Sequence, residues 1–97
     1  MTIAVKIGVV QFRTKSIAAE FCRGILSRYK VGETVGDDDA RFLSDLIRRH
    51  PKFGVKIGCG IDRFEAGNGK FGSKCFHVVR IDGSTEEFSY KQCLASY

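Results

Sequence analysis

Four cysteines, two histidines and a run of three aspartates are the residues of this 97-residue chain whose types suit metal binding or catalysis. Cys75 and His77 stand two apart in "KCFHVV", so on a strand they point to one side, and Cys59 and Cys93 would complete a Cys3His zinc set if folding brought them in. Structural zinc sites usually draw ligands as tightly spaced pairs from turns, and no C-x-x-C pair occurs here. His77 therefore reads first as a packed core histidine, and no metal or cofactor is expected. Asp37, Asp38 and Asp39 are of a type that holds Mg2+, but their place at a helix start, where the dipole is positive, already accounts for them. Neither histidine has a sequence context implying a nucleophilic partner. The stretch "CFHVVRIDGSTEEFSYKQCL" has the outline of the ββα finger of His-Asn-His nucleases, without the asparagine in the hairpin or the histidine in the last helix. A non-catalytic domain is expected, and a metal-dependent nuclease is the least supported reading.

Binding chemistry is better represented. Lys52, Phe53, Lys56, Arg63, Phe64, Lys70, Phe71, Lys74, Phe76 and Arg80 alternate charge and ring, a composition suited to holding phosphates while stacking bases. "GNGKFGSK" lacks the spacing of a phosphate-binding P-loop and reads as a hairpin tip whose backbone amides, Lys70 and Lys74 would still meet a phosphate. In a domain this small at least half of the phenylalanines belong to the core. The expected nucleic-acid contacts are Lys52, Lys56, Arg63, Lys70, Lys74 and Arg80, with Phe71 stacking. RNA is preferred to DNA, and an acidic protein surface is the alternative partner.

The elements that must position these residues follow from the pattern. Length allows one domain over residues 1–97, with a single core. The net charge of +5 is uneven. Residues 1–30 carry six basic side chains against Glu20, residues 46–80 carry eight against Asp62 and Glu65, and the intervening 31–45 carry Arg41 against five acids. "IAVKIGVVQF" alternates as a strand, with Ile3, Val5, Ile7 and Val9 on one face. It has no charged leader or cleavage site, and no run approaches a membrane span, so a cytoplasmic chain with reduced thiols is expected. "SIAAEFCRGILSRYK" carries a helical stripe at 17, 18, 21, 22, 25, 26 and 29 with Thr14 or Ser16 as N-cap, and Arg23, Arg28 and Lys30 on the other side. "DDDARFLSDLIRRH" is a second helix facing Phe42, Leu43, Leu46 and Ile47 inward and ended by Pro51.

Beyond Pro51 the pattern is β. "GIDRFEAG" and "SKCFHVVRI" read as paired strands, and Asp82-Gly83 as a two-residue hairpin loop placing Val79 opposite Glu86, His77 opposite Phe88 and Cys75 opposite Tyr90. The expected fold class is α+β, a small antiparallel sheet with two main helices on one face in the order β-α-α-β-β-β and a short final helix.

The His50-Pro51 pair, "KIGCGI" at 56–61, "SKCFHVVRIDGS" at 73–84 and "FSYKQC" at 88–93, with "F-x-T-K-x-x-A" at 12–18 and "ILSRYKVGETV" at 25–35, resemble the DCL family, named for defective chloroplasts and leaves. The resemblance runs from about Phe12 to Leu94. It implies involvement in ribosomal RNA processing or transcription, with a possible protein partner in such a complex, and brings no established catalytic residues. Plastid members start with a transit peptide and this chain opens on a strand, so a free-standing bacterial or phage-type member is expected.

Overall fold

Gly8 breaks what reads in sequence as one strand. In the computed structural model, which describes residues 5–8, 10–69 and 72–95, β1 (Val5–Ile7) and β2 (Val10–Phe12) fold back on each other antiparallel, Val5 opposite Phe12 and Ile7 opposite Val10. Gly8 turns with φ 61°, and a Cβ there would collide with the Asp45 carboxylate, so the turn has a reason to be glycine. Val5 and Ile7 are buried and Lys6 exposed, as the alternation requires; Ile3 and Val9 lie outside the described residues.

Helix α1 (Lys15–Ser27) starts where Thr14 Oγ1 accepts the Ile17 N–H at 3.2 Å. Its buried side is Ala18, Cys22, Ile25 and Leu26, while Ile17 and Phe21 of the same stripe remain 45% and 39% exposed. Helix α2 (Asp37–Ile47) opens on the three aspartates and buries Phe42, Leu43, Leu46 and Ile47, matching the sequence pattern. It stops at Ile47, before Pro51 acts, and the chain turns through 48–52.

A short helix that the expected order lacks, α3 (Phe53–Ile57), follows. Five residues cannot sustain a helix in water and leave no periodicity to read. What holds it is tertiary: Arg80 Nε and Nη2 donate to the Lys56 and Val55 carbonyls at 3.1 and 3.0 Å. Gly58 ends the turn with φ 51°, and a Cβ there would come within 2.8 Å of Arg80 Nε.

Strands β3 (Ile61–Asn68), β4 (Lys74–Arg80) and β5 (Thr85–Phe88) form an antiparallel meander, and α4 (Tyr90–Ala95) closes it. The free edge of β3 is covered by the segment after α1: Gly32 N and Val35 N donate to the Ala66 and Phe64 carbonyls at 2.7 and 2.8 Å, and Ala66 N returns a bond to Glu33. The core lies between this sheet and the helices. Phe64, Ala66, Phe76, Val78 and Phe88 meet the apolar sides of α1 and α2 together with Cys93 and Leu94 of α4. Phe64, Phe76, Phe88 and Tyr90 form a chain of ring contacts, so two of the phenylalanines in the charge-and-ring pattern are structural.

The β4–β5 register corrects the sequence expectation. Arg80 N bonds the Ser84 carbonyl at 2.8 Å, making the loop three residues long, and the pairs are Phe76–Phe88, His77–Glu87, Val78–Glu86 and Val79–Thr85. One residue more in a loop moves every partner by one, and with it the face each side chain shares. His77 is therefore not opposite Phe88; it stands on the outer face beside Glu87. The described residues thus form an α+β domain of four helices and two antiparallel sheets, the N-terminal hairpin being a sheet of its own. No helix among them is long and apolar enough to cross a membrane.

Candidate functional site

Most of the basic residues singled out in the sequence are held by internal partners. Lys56, with only 14% of its side chain exposed, donates from Nζ to Glu86 Oε1 at 3.0 Å and to the Glu87 carbonyl at 2.7 Å. Arg80 adds Ser84 Oγ and Glu86 to the two α3 carbonyls. Arg63 lies between Asp62 and Glu65 at 2.7 and 2.9 Å. The Lys56 ammonium, hydrogen-bonded to Glu86, holds that carboxyl below the usual range. This explains the stretch from 50 to 62: Lys56 and Gly58 build the junction between α3 and the sheet.

Lys52 and Lys74 are exposed. Lys74 Nζ reaches the Tyr29 carbonyl at 2.8 Å, and Lys52 uses its backbone N–H on His50. Lys70 and Phe71 lie outside the described residues. Phe53 is half-buried against the core, and Phe64 and Phe76 are inside it.

Tertiary folding gathers a different basic set. A broad open groove is walled by α1, the turn after α2, the ends of the β3–β4 loop, and the run from β5 into α4. Among the described residues Arg23, Lys52, Lys56, Lys74 and Lys91 line it, with Glu87 the single acid, and Tyr90, His50 and Pro51 stand between them. Arg23 is visible in sequence as part of the polar side of the first helix; Tyr90 and Lys91 fall in the family motif "FSYKQC" but carry no charge or ring pattern that marks them as groove residues.

His50 is the hub of one wall. It is 5% exposed, its Nδ1 accepts the Lys52 N–H at 2.9 Å, and Nε2, left as the protonated nitrogen, donates to Gln92 Oε1 at 2.8 Å. Burial depresses its pKa, with Lys56 and Lys52 acting the same way against the Gln92 bond. The His-Pro pair thus ties the turn after α2 to α4 besides interrupting the chain direction.

On the outer face of the sheet, ligand atoms of Cys75, His77 and Glu87 all lie within 4.8 Å of one another. Cys75 Sγ donates to Glu87 Oε2 at 3.8 Å, and His77 Nε2 lies 3.0 Å from the Asn68 carbonyl. Burial, then the Glu87 charge, pushes the Cys75 thiol up to about 11, the opposite of an activated nucleophile. Of the Cys3His set weighed from the sequence, Cys75 and His77 come together here, while Cys59 is exposed and Cys93 is buried in the core. Glu87 was missed because its place depends on the length of the 81–83 loop.

The family model for a protein of unknown function, DUF3223, matches residues 23–94, a span that holds the cluster and all of the groove but Ala95. The chain is 31% identical over 87 residues to the DNA-directed RNA polymerase IV subunit 1 of Arabidopsis thaliana, covering 89% of this chain and 6% of that subunit. It is 38% identical over 79 residues to the chloroplastic protein DCL of Solanum lycopersicum, covering 76% of this chain and 35% of that protein. The chain thus spans a small part of the length of these relatives. An uncharacterized protein from Rhodospirillum rubrum, solved by solution NMR, superposes with a TM-score of 0.88 at 38% identity, over 96% of this chain and 89% of that one. With three quarters of its length under the family model and the DCL-type motifs in place, the chain belongs to the DUF3223 family and is a relative of the DCL proteins.

Proposed function

We propose that this domain is a non-catalytic nucleic-acid-binding module, RNA preferred, whose contact surface is the groove between α1, the His50–Lys52 turn and α4. The observation that carries the reading is the charge of that lining, five basic side chains against Glu87 alone among the described residues. Such a channel tracks a phosphate backbone, and Tyr90 supplies a ring at its side. Lys52, Lys74, Lys91 and Arg23 serve as the phosphate contacts. Lys56, Arg63 and Arg80 contribute to the field while bonded internally, and Lys70 and Phe71, outside the described residues, are further contacts on the sequence pattern alone. The names of the relatives support a setting in transcription, since one is an RNA polymerase subunit, and the DCL resemblance supports ribosomal RNA processing.

Fluorescence anisotropy with a structured RNA, a single-stranded RNA and a DNA duplex, each across a salt series, tests this. The expected result is a preference for one RNA that persists at physiological salt, with a log–log slope of roughly three to four contacts at about −0.7 to −0.9 each. Equal, weak binding to all three that vanishes by physiological salt would reject it.

A second reading is a docking module for a protein of a transcription or RNA-processing complex. It is favoured by Val55 and Ile81, 67% and 68% exposed, both at the junction of α3 with the end of β4. Capture of such a complex by the wild-type domain and not by a Val55→Ser, Ile81→Ser variant would select it.

A further inference from the structure

We propose that Cys75, His77 and Glu87 bind a divalent transition-metal ion of the zinc type, in three-ligand coordination with the fourth position facing the groove. The inference is independent of the nucleic-acid reading.

The geometry comes first. Tetrahedral zinc with ordinary bond lengths places S, N and O ligands about 3.4–3.6 Å apart. Cys75 Sγ and Glu87 Oε2 already stand at 3.8 Å, and all three ligand atoms fall within 4.8 Å. The three residues sit on two paired strands, His77 directly opposite Glu87 and Cys75 two residues back on the same face, so the frame is rigid.

The donor set decides the class of ion. One thiolate, one imidazole and one carboxylate suit zinc and its neighbours, whereas magnesium and calcium take oxygen alone. The thiolate and carboxylate together carry the two negative charges that neutralise the ion. On binding, the Cys75 S–H bond breaks, its proton goes to solvent, and a sulfur–metal bond forms with no change of oxidation state.

Two further features point to a built site. The Asn68 carbonyl can only accept, so the neutral His77 ring carries its proton on Nε2 and presents Nδ1 as the lone-pair nitrogen. A backbone carbonyl orienting the other ring nitrogen is the usual support of a metal-binding histidine. Space is also reserved. A Cβ at Gly67 would come within 2.7 Å of the His77 ring, so only glycine there leaves the ring its place; one at Gly69 would be in ordinary contact with Cys75 Sγ and Glu87 Oε2. Cys75, Glu87 and Gly69 all line the groove, which gives the ion its path in.

Cobalt(II) titration of the reduced protein tests the proposal, because a Cys–cobalt bond gives a near-ultraviolet charge-transfer band; zinc is then added in competition. Wild type and Cys59→Ser should each take up a single equivalent with that band, displaced by zinc and untouched by magnesium. Cys75→Ser should lose the band, and His77→Gln and Glu87→Gln should each weaken cobalt affinity by at least about tenfold, the loss seen even for outer partners of a metal. A band that survives in Cys75→Ser, a band lost in Cys59→Ser, or no saturable uptake by wild type would overturn the site. If circular dichroism shows Cys75→Ser unfolded, Glu87→Gln carries the test, since its amide oxygen still accepts from the thiol. Unchanged affinity in that folded variant overturns the proposal equally.

Discussion

Lys56 is clamped to Glu86: Nζ stands 3.0 Å from Oε1, and the same ammonium donates to the Glu87 carbonyl at 2.7 Å. The pair joins α3 to β5 across a chain separation of thirty residues, and Arg80 closes it from the other side at 3.5 Å from Glu86 Oε2. Because Glu86 remains 36% exposed, solvent screens part of the attraction. Lys56→Met is expected to destabilise the domain by about 1–2 kcal/mol, the range for charge-assisted hydrogen bonds discounted for exposure. Urea unfolding measures it. An unchanged midpoint would show that α3 does not depend on this contact.

Acid should weaken the fold in two stages, each assigned to a named group. His50 has a folded pKa below its ordinary value, so the unfolded chain takes the proton first. Its stabilising contribution is complete above the unfolded value near about 6.5 and declines as pH falls through the lower folded value. Glu86, also depressed, holds its contribution above the unfolded carboxylate range and loses it further down. Urea midpoints taken from about pH 8 to about pH 5.5 should therefore fall for wild type and stay nearly flat for His50→Asn, which has no group to titrate there. A flat wild-type profile would contradict the depressed histidine.

For the groove, the informative variant combines Lys52→Ala with Lys91→Ala. The backbone N–H of Lys52 still reaches His50 in the variant, so stability should move by no more than about 0.5 kcal/mol, as at ordinary surface positions. Nucleic-acid affinity should drop for every sequence tested, and the log–log salt slope should shrink by about 1.4–1.8, two contacts' worth. Full affinity in the folded double variant would remove this wall from the interface.

Two glycines should respond in opposite directions to alanine. Gly58 has φ 51°, and its Cβ position lies 2.8 Å from Arg80 Nε, so Gly58→Ala should cost about 1–3 kcal/mol through backbone strain alone, with displacement of Arg80 besides. Gly24 lies exposed inside α1 with nothing within 4 Å of its Cβ position, and Gly24→Ala should stabilise by about 0.5–1 kcal/mol. Thermal unfolding of both variants beside wild type decides the point, and a shared direction would refute it.

What the sequence determined by itself was local. The apolar stripes of 18–26 and 42–47 specified α1 and α2, because a helix face repeats within a few residues, and Thr14 marked the start of α1 by its own hydroxyl. The meander, the place of the Asp82-Gly83 turn though not its length, and the α+β class were legible for the same reason, and so was the family. Tertiary structure alone decided what depends on a single residue of register or on contacts far apart in the chain. A three-residue loop instead of two moved His77 from opposite Phe88 to opposite Glu87, exchanging an apolar neighbour for a possible ligand. The α3 helix exists through Arg80, more than twenty residues downstream. The basic side chains read as one interleaved surface were divided by the fold into those bonded within the domain, such as Lys56 and Arg80, and those left exposed at the groove, such as Lys52, where Lys91 joins it from α4, because an ammonium or guanidinium beside a carboxylate or a free helix carbonyl binds there first.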